Sequence, residues 1–404
     1  MNSGDTAFML VATAMVMFMT PGLALFYGGM VRAKNVLSTT MQSFFCLGIV
    51  SVIWVFYGYS LAFGPDIGGV IGGLDYVWLE NVTLGIGPYS DTIPDLLFCA
   101  FQLMFAIITP ALITGAYAER MKFTAFAMFT VLWISLVYLP VCHWVWGGGW
   151  IGEMGALDFA GGTVIHINSG AAALVAAIVL GKRKGWGKEA MHPHNLPMTI
   201  LGAGVLWFGW FGFNAGSALS AGPVAVLALF TTQVATGAGA ISWVLAEWKV
   251  QGKPTTLGAA SGAVAGLVAI TPGAGFVGPI SAIIIGLCGG ALCYFAVLAK
   301  SRLGYDDALD VVGVHGVGGL WGALATGLFA STAWNADGAD GLFFGNAGQL
   351  SVQAIGAVAT IGYSLLLTYI ILKLVDWTIG LRADVDDEVQ GLDVADHKEV
   401  GYSI

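Results

Sequence analysis

The sequence predicts an all-α membrane protein that crosses the bilayer eleven times. Of its 404 residues, 57% are hydrophobic and only 10% are charged, whereas a soluble domain carries roughly 25% charged residues. The chain also contains 59 glycines, and small residues at this density suit close packing between membrane helices. These observations exclude a water-soluble enzyme of two or three domains, and the net charge of −9 argues against nucleic-acid binding.

The spanning helices are predicted from apolar runs that are long enough to cross a bilayer. In chain order the runs fall near residues 7–30, 37–62, 95–118, 123–146, 160–180, 197–217, 223–247, 256–272, 278–299, 309–330 and 349–374.

The basic residues set the predicted orientation of these helices, because every Lys and Arg lies at or after the end of an odd-numbered run. They are Arg32, Lys34, Arg120, Lys122, Lys182, Arg183, Lys184, Lys188, Lys249, Lys253, Lys300, Arg302, Lys373, Arg382 and Lys398. The positive-inside rule assigns these loops to the cytoplasm. An odd number of helices then places the N-terminus outside and the C-terminus in the cytoplasm.

The chain is therefore divided into a transmembrane domain, residues 1–374, and a polar cytoplasmic tail, residues 375–404. The tail is too short to bury a core of its own. We expect it to pack on the cytoplasmic face or to dock a partner.

Two segments suggest an internal repeat. Residues 156–166 and 308–315 both begin Ala-Leu-Asp and place a histidine in a glycine-rich apolar helix, the fifth and the tenth respectively. Two units of five helices must run in opposite directions through the membrane. This is an inverted 5+5 repeat, with helix 11 packing outside it, and such repeats place a substrate path near the midplane.

The two histidines of this repeat are His166 and His315. Each is predicted to lie roughly 9 Å into a hydrocarbon core of about 30 Å. One alternative is a buried histidine bonded to a backbone carbonyl, and another is a metal ligand, although no third ligand stands at a suitable spacing. The favoured interpretation is hydrogen bonding and proton exchange with a small polar solute.

Aromatic side chains are predicted near the outer end of this path. Phe101 and Phe105 are one turn apart, Trp210, Phe213 and Ser217 share one helix face, and Trp146 ends helix 4. The alternative is an aromatic belt at the lipid interface. Without an acidic ring, an aromatic cage with one hydroxyl suits a cation that donates hydrogen bonds and is held by ring faces. Burial would favour loss of its proton, and the neutral species would then pass the imidazoles.

Several longer motifs resemble a known family. They are residues 26–29 (FYGG), 118–120 (AER), 143–149 (HWVWGGG), the stretch to His166, 209–217 (GWFGFNAGS) and 314–316 (VHG). In this order and over essentially the whole chain, they resemble the ammonium transporters of the Amt/Mep/Rh family, on the prokaryotic Amt side. The resemblance implies a homotrimer with one pore per subunit in the cytoplasmic membrane, serving nitrogen uptake.

The resemblance also implies roles for individual residues. Phe105, Trp146 and Ser217 resemble the external ammonium recruitment site, and Phe105, Phe213 and Phe101 resemble the gate beneath it. His166, His315, Trp210, Phe26 and Tyr27 resemble the pore lining. Composition alone favours Asp158 as a cation ligand, but the resemblance implies a structural carboxylate. Asp310 is its expected analogue and is expected to cap a helix at the cytoplasmic mouth.

The resemblance extends to the tail, where Asp376, residues 380–382 and residues 391–393 resemble a regulatory segment docked by a PII-type nitrogen-regulatory protein. The predicted function is ammonium transport without enzymatic activity, cofactor or metal. Two alternatives stay open: an ammonium sensor that signals through its tail with little flux, and an intramembrane enzyme built on His166, His315 and Asp158.

Overall fold

The computed structural model describes residues 1–403 and consists mostly of helices. The first half contains α1 (Ser3–Met30), α2 (residues 36–63), α3 (Asp95–Tyr117), α4 (residues 123–146) and α5 (Gly162–Leu180). The second half contains α6 (Leu196–Gly216), α7 (Pro223–Gln251), α8 (Thr256–Ile270), α9 (Pro279–Leu303), α10 (Val312–Phe329) and α11 (Ala347–Ile379). Two short tail helices follow, α12 (Val385–Gln390) and α13 (Leu392–His397).

Helix boundaries follow local capping chemistry. The Asn2 side chain accepts hydrogen bonds from the N–H groups of Gly4 and Asp5, and the Thr255 side chain accepts one from Gly258. Pro223 and Pro279 occupy the first turns of α7 and α9, where a missing N–H costs nothing. Backbone N–H groups at the starts of α1 and α8 are thus satisfied by side chains of the adjacent sequence.

The observed helices match the eleven predicted runs in order, with small shifts in their ends. Within residues 1–403, ten helical spans are long and apolar enough to cross a membrane, and α8 is a shorter apolar helix of 15 residues. The last helix runs to Ile379, past the predicted limit of 374. The fold is therefore the predicted all-α membrane architecture, while eleven crossings and their direction stay predictions.

The segment between α2 and α3 contains structure that the sequence analysis did not predict. Strands β1 (Asp66–Ile67) and β2 (Ile71–Gly72) form one small antiparallel hairpin. Strands β3 (Ile86–Gly87) and β4 (Ser90–Pro94) form another. These strands are too short for apolar alternation to reveal them.

Helices α5 and α10 approach each other closely through glycine. A Cβ atom on Gly319 of α10 would lie 2.8 Å from the Cβ of His166 and 3.0 Å from the carbonyl oxygen of Gly162. Both helices begin with a wider π turn, Gly162–Ile167 and Val312–Val317. Each π turn carries the histidine of its half, so the close approach brings the two histidines toward one another.

The tail packs across loops that carry basic residues. The Lys34 ammonium donates to the carbonyl oxygen of Glu388 at 2.7 Å, and Arg382 donates to the carbonyl oxygens of Leu180 and Lys182 at 2.9 and 2.8 Å. The loops after α1 and α5 therefore lie on the same face as the tail, as predicted. That this face is cytoplasmic stays a prediction.

A buried ion-pair network joins the loops of the two halves on that face. Glu119 pairs with Arg32 at 2.9 Å and with Arg183 at 3.1 Å, and Arg183 also pairs with Asp306 at 2.9 Å. Glu119 and Asp306 are buried. Removing one member of such a network leaves a buried charge without a partner, which is strongly destabilising.

We expect the solubilised protein to lose stability in acid because of this network. Burial by itself would raise the pKa of Glu119, but Arg183 and Arg32 hold it below its ordinary value. At Asp306, burial would likewise raise the pKa, but Arg183 and Arg120 lower it below its ordinary value. Stability from a carboxylate with a lowered pKa is present above its unfolded pKa, about 4, and is lost as pH falls through the folded value.

The measurement is the midpoint temperature of unfolding in detergent between pH 7 and pH 3. The wild type should lose stability as pH drops below about 4. The Arg183→Gln variant should be less stable at pH 7 and should depend less on pH in that window. An equally steep acid dependence in the variant would show that other groups cause it.

Candidate functional site

Three cavities follow one another through the fold. A wide outer cavity is lined by Phe105, Trp146 and Ser217. A narrow middle cavity is lined by both His166 and His315, and a narrow inner one shares His315 with it. The middle and inner cavities share Phe26, Val264 and His315, and the outer cavity meets the middle one at the contact between Phe105 and Phe213, so the three lie along one interrupted path.

The outer cavity is bounded by the aromatic side chains expected there. The Phe105 and Trp146 ring centroids are 5.9 Å apart with planes at 83°. The Trp146 indole N–H donates to the carbonyl oxygen of Asp158 at 2.8 Å, which fixes the ring orientation. The Ser217 hydroxyl donates to the carbonyl oxygen of Phe213 at 2.8 Å, so its lone pairs remain available to a donor in the cavity.

Two phenylalanines separate the outer cavity from the middle one. The ring centroids of Phe105 and Phe213 lie 4.4 Å apart, and Phe101 packs edge-on against Phe105 at 4.8 Å. Phe105 lines the outer cavity and Phe213 lines the middle one. A solute that passes inward must displace these rings.

The two histidines are in direct contact. Their Nδ1 atoms are 3.2 Å apart, and the rings are inclined by 23° with centroids 5.2 Å apart. The Nε2 atom of His166 is buried without a hydrogen-bond partner in the protein. When both rings are neutral, one Nδ1 donates to the other, so one Nε2 atom is left as an acceptor and the other carries a proton.

The rest of the middle cavity is apolar or aromatic. Its other lining residues are Met19, Leu23, Phe26, Ile108, Leu112, Ile165, Leu206, Trp210, Phe213 and Val264. The Trp210 ring lies 5.5 Å from the His166 ring and inclined to it by 20°. The imidazoles are therefore the polar groups in an otherwise apolar compartment.

The sequence and the fold were compared with known proteins. The Ammonium Transporter Family matches residues 7–402. An ammonium transporter from Bacillus subtilis is 56% identical over 403 residues, with 100% of this chain and 99% of the relative covered. The ammonium transporter Amt1 from Archaeoglobus fulgidus is 46% identical, with both chains fully covered.

The chain belongs to the ammonium transporter family.

Solved structures agree with this membership. The crystal structure of Saccharomyces cerevisiae Mep2 matches with a TM-score of 0.90 at 37% identity, covering 96% of this chain and 88% of that one. A sensor Amt protein matches with a TM-score of 0.90 at 30% identity, covering 98% of each chain. The predicted family is thus confirmed, this is a multi-pass membrane protein, and relatives named as transporters point away from an enzyme.

In this member of the family, Asp158 organises the start of α5. Its carboxylate accepts four backbone N–H groups, those of Gly161, Gly162, Thr163 and Val164, at 2.6 to 3.1 Å. Gly161 has a φ of +114°, a conformation that favours glycine. The carboxylate oxygens are therefore occupied by the helix terminus, an arrangement that fits a structural rather than a ligand-binding carboxylate.

The expected role of Asp310 is wrong, and Asp307 takes its place. Asp307 precedes His315 by eight positions, as Asp158 precedes His166, and its carboxylate accepts the N–H of Val312 at 2.8 Å. The Asp310 carboxylate instead pairs with Lys300 beside the inner cavity. Aligning the two repeats on the shared Ala-Leu-Asp sequence gave the wrong register. Aligning them on the eight-residue separation between aspartate and histidine gives the correct one.

The inner cavity lies beyond His315. Phe26 and Tyr27 line it as expected, and the Tyr27 hydroxyl donates to the carbonyl oxygen of Leu112 at 3.0 Å. The inner cavity therefore lies on the side of the histidine pair that faces the end of α1 and the start of α10.

Several polar residues of the path were not predicted from the sequence. Thr271 accepts the indole N–H of Trp210 at 2.9 Å. Gln102, Asn335 and Asp337 line the outer cavity, and Gln102 Oε1 is buried without a partner in the protein. A polar residue inside an apolar helix indicates function, so Gln102 could have been predicted. Asn335 and Asp337 lie in the loop after α10, and nothing in the sequence connects that loop with the outer cavity.

Within residues 1–403, no three His, Cys, Asp or Glu side chains come together in an arrangement that could hold a metal ion. The predicted lack of metal and of cofactor stays a prediction.

Proposed function

We propose that this family member transports ammonium by recruiting it in the outer cavity, removing one proton and passing neutral ammonia along the histidine pair. The observation that carries the proposal is the 3.2 Å contact between the two Nδ1 atoms inside an apolar cavity. Family membership supports ammonium as the substrate.

Recruitment uses two kinds of contact. The faces of Trp146 and Phe105 attract a cation, and the Ser217 hydroxyl oxygen accepts a hydrogen bond from it. A metal ion of similar size cannot donate that bond. The outer cavity therefore favours ammonium over potassium.

Deprotonation follows from the environment beyond the two phenylalanines. Moving a charge toward the bilayer centre costs at least roughly 2.5–3.5 kcal/mol, and burial can lower an amine pKa by up to about 3–5 units. Ammonium can avoid this cost by releasing its proton to the histidine pair, which carries it inward separately from ammonia so that one charge still crosses, whereas alkali ions have no proton to release.

The histidine pair then provides matching hydrogen bonds for ammonia. One Nε2 donates to the ammonia nitrogen, and the other accepts one of its N–H groups. When a proton binds the bare Nε2, the Nδ1 proton can pass to the other ring and the proton on that ring's Nε2 can leave, so both rings end neutral, the pair has reversed its polarity and one proton has crossed.

The remaining expectations are part of the same proposal. Residues 1–374 form the transporter domain and residues 375–404 a regulatory tail in the cytoplasm. The chain assembles as a homotrimer in the cytoplasmic membrane with its N-terminus outside. A PII-type protein docks on the face where the tail meets the basic loops. Support for these points comes from the family resemblance and from the packing of the tail on Lys34 and Lys182.

The test is the current evoked by an ammonium jump in proteoliposomes of the purified protein on a solid-supported membrane. We expect a transient current with ammonium and none with an equal jump of potassium. The sensor alternative predicts ammonium binding without current, and the comparisons do not favour it, since relatives at 46–56% identity are named transporters. Silence in reconstituted, correctly folded protein would overturn the proposal.

A further inference from the structure

His143 is a buried polar residue that the transport path does not use. It lies on α4, one helical turn before Trp146, and is 0% exposed. Its Nδ1 is 2.9 Å from the carbonyl oxygen of Ala62, and its Nε2 is 2.8 Å from a carboxylate oxygen of Asp66. Both ring nitrogens therefore face oxygen atoms.

These contacts restrict the hydrogen-bonding roles of the two ring nitrogens. A carbonyl oxygen can only accept a hydrogen bond, and so can an ionised carboxylate. The hydrogen bond from His143, followed by that from the N–H of Gly69, lowers the pKa of Asp66, so this carboxyl group is ionised. A neutral imidazole has a single donor, so only the imidazolium makes both contacts.

The ion pair belongs to a clamp between the β1–β2 hairpin and the end of α4. The indole N–H of Trp144 donates to the carbonyl oxygen of Val70 at 2.8 Å, and the N–H of Trp150 donates to that of Gly69 at 3.1 Å. The carbonyl oxygen of His143 accepts the N–H groups of Gly147 and Gly149. The clamp thus fixes the chain on both sides of Trp146.

Other titratable groups near this end of α4 have separate partners. The Tyr89 hydroxyl donates to the carbonyl oxygen of Phe63 and lies 3.4 Å from that of Gly147. The Asp158 carboxylate is occupied by backbone N–H groups of α5, and Glu153 is exposed. Asp66 is therefore the charged group that contacts the His143 ring.

We propose that His143 is a positioning residue whose imidazolium, paired with Asp66, holds the Trp146 indole in the outer cavity and so sets the affinity for external ammonium. The proposal rests on the proposed function, because it takes Trp146 as part of the recruitment site. Loss of the ion pair between His143 and Asp66 frees the end of α4, and the Trp146 indole becomes mobile with it. The histidine pair of the pore is left in place, so affinity falls more than maximal transport does.

The experiment measures ammonium-evoked currents for His143→Gln, Asp66→Asn, Trp144→Phe and Trp146→Leu, each checked for folding by gel filtration in detergent. For His143→Gln we expect the half-saturating concentration to rise about tenfold, the effect of losing one charge-assisted hydrogen bond. The maximal current should stay within about twofold of wild type on the same reasoning. Trp146→Leu should raise the half-saturating concentration in the same way. Trp144→Phe removes one clamp contact without touching the ion pair, so it should raise that concentration less than His143→Gln does. His192→Gln, in the loop between α5 and α6, is the matched control and should leave that concentration unchanged.

The external pH profile separates charge from mere packing. In Asp66→Asn the side-chain amide that replaces the carboxylate can donate to Nε2, so a neutral His143 makes both contacts in that variant. We expect the wild type to lose affinity for ammonium at alkaline external pH, after correction for the ammonium fraction, and Asp66→Asn to keep it. This comparison of the two pH profiles tests the proposal even if the His143→Gln variant does not fold.

The outcomes distinguish this proposal from the proposed function. An unchanged half-saturating concentration in His143→Gln, with a raised one in Trp146→Leu, overturns the role of His143 alone. A loss of maximal current without a change in affinity also overturns it, as do identical pH profiles for wild type and Asp66→Asn. An unchanged affinity in Trp146→Leu overturns recruitment by the outer cavity itself.

Discussion

The double variant His166→Ala with His315→Ala is expected to lose the selective ammonium current of the wild type. Without the imidazoles, the middle cavity offers ammonia no donor and no acceptor, and proton exchange between the rings is gone. We expect the current either to vanish or to be carried by potassium as well, because the enlarged cavity admits water and hydrated cations. The measurement is the current after ammonium and potassium jumps in proteoliposomes.

The matched control for this prediction is His192→Ala with His194→Ala. It removes the same number of imidazoles from the loop between α5 and α6, away from the three cavities. The control should conduct like the wild type. An unchanged, still selective current in the His166 and His315 variant would contradict the deprotonation mechanism, even though the fold would stand.

The Asp158→Ala variant is expected to be strongly destabilised and to lose transport. Its carboxylate accepts four buried N–H groups at the start of the helix that carries His166. Hydrogen bonds to a charged group contribute about 1.5–3 kcal/mol each, so the loss amounts to several kcal/mol. The midpoint temperature of unfolding should fall, and the ammonium current should drop by at least about tenfold, the effect of 1.4 kcal/mol.

Two further variants make this prediction specific. Asp158→Asn keeps one acceptor oxygen and should be intermediate in both measurements. Asp310→Asn is the control at the other repeat, because it alters only the ion pair with Lys300 at the inner mouth. A fully stable Asp158→Ala protein that no longer binds ammonium would show that the carboxylate is a direct ligand of the cation.

The membrane helices were predictable because their signal is local. A run such as 95–118 must be apolar along its whole length, since lipid or other helices surround it, and the observed α3 spans Asp95–Tyr117. The basic residues after α1 and α5 were grouped correctly for a similar reason, because charge at a membrane face depends on loop order alone. The short hairpins at Asp66–Gly72 and Ile86–Pro94 carry no comparable signal and were missed.

The site was predictable only in part. His166 and His315 stood out because ionisable residues are costly inside a membrane, and the structure brings them together. Asp310 was wrongly predicted to be the equivalent of Asp158 in the second repeat. The prediction relied on the shared Ala-Leu-Asp sequence and not on the number of residues between the aspartate and the histidine. Thr271 and Asn335 reach the path from distant elements, and no spacing in the chain connects them with Trp210 or Trp146.

The sequence by itself determined the class of protein, the order of its helices, the face that carries the basic loops and the identity of the two histidines. Each of these follows from the free energy of placing a given side chain in lipid, which depends on composition and position along the chain. The tertiary structure decided which atoms meet: the contact between the two Nδ1 atoms, the four N–H groups on Asp158 and the ion pair of His143 with Asp66. These contacts depend on how separate helices and loops cross, and hydrogen bonds form only within a few tenths of an ångström of the right distance, so they arise only when the whole chain is packed.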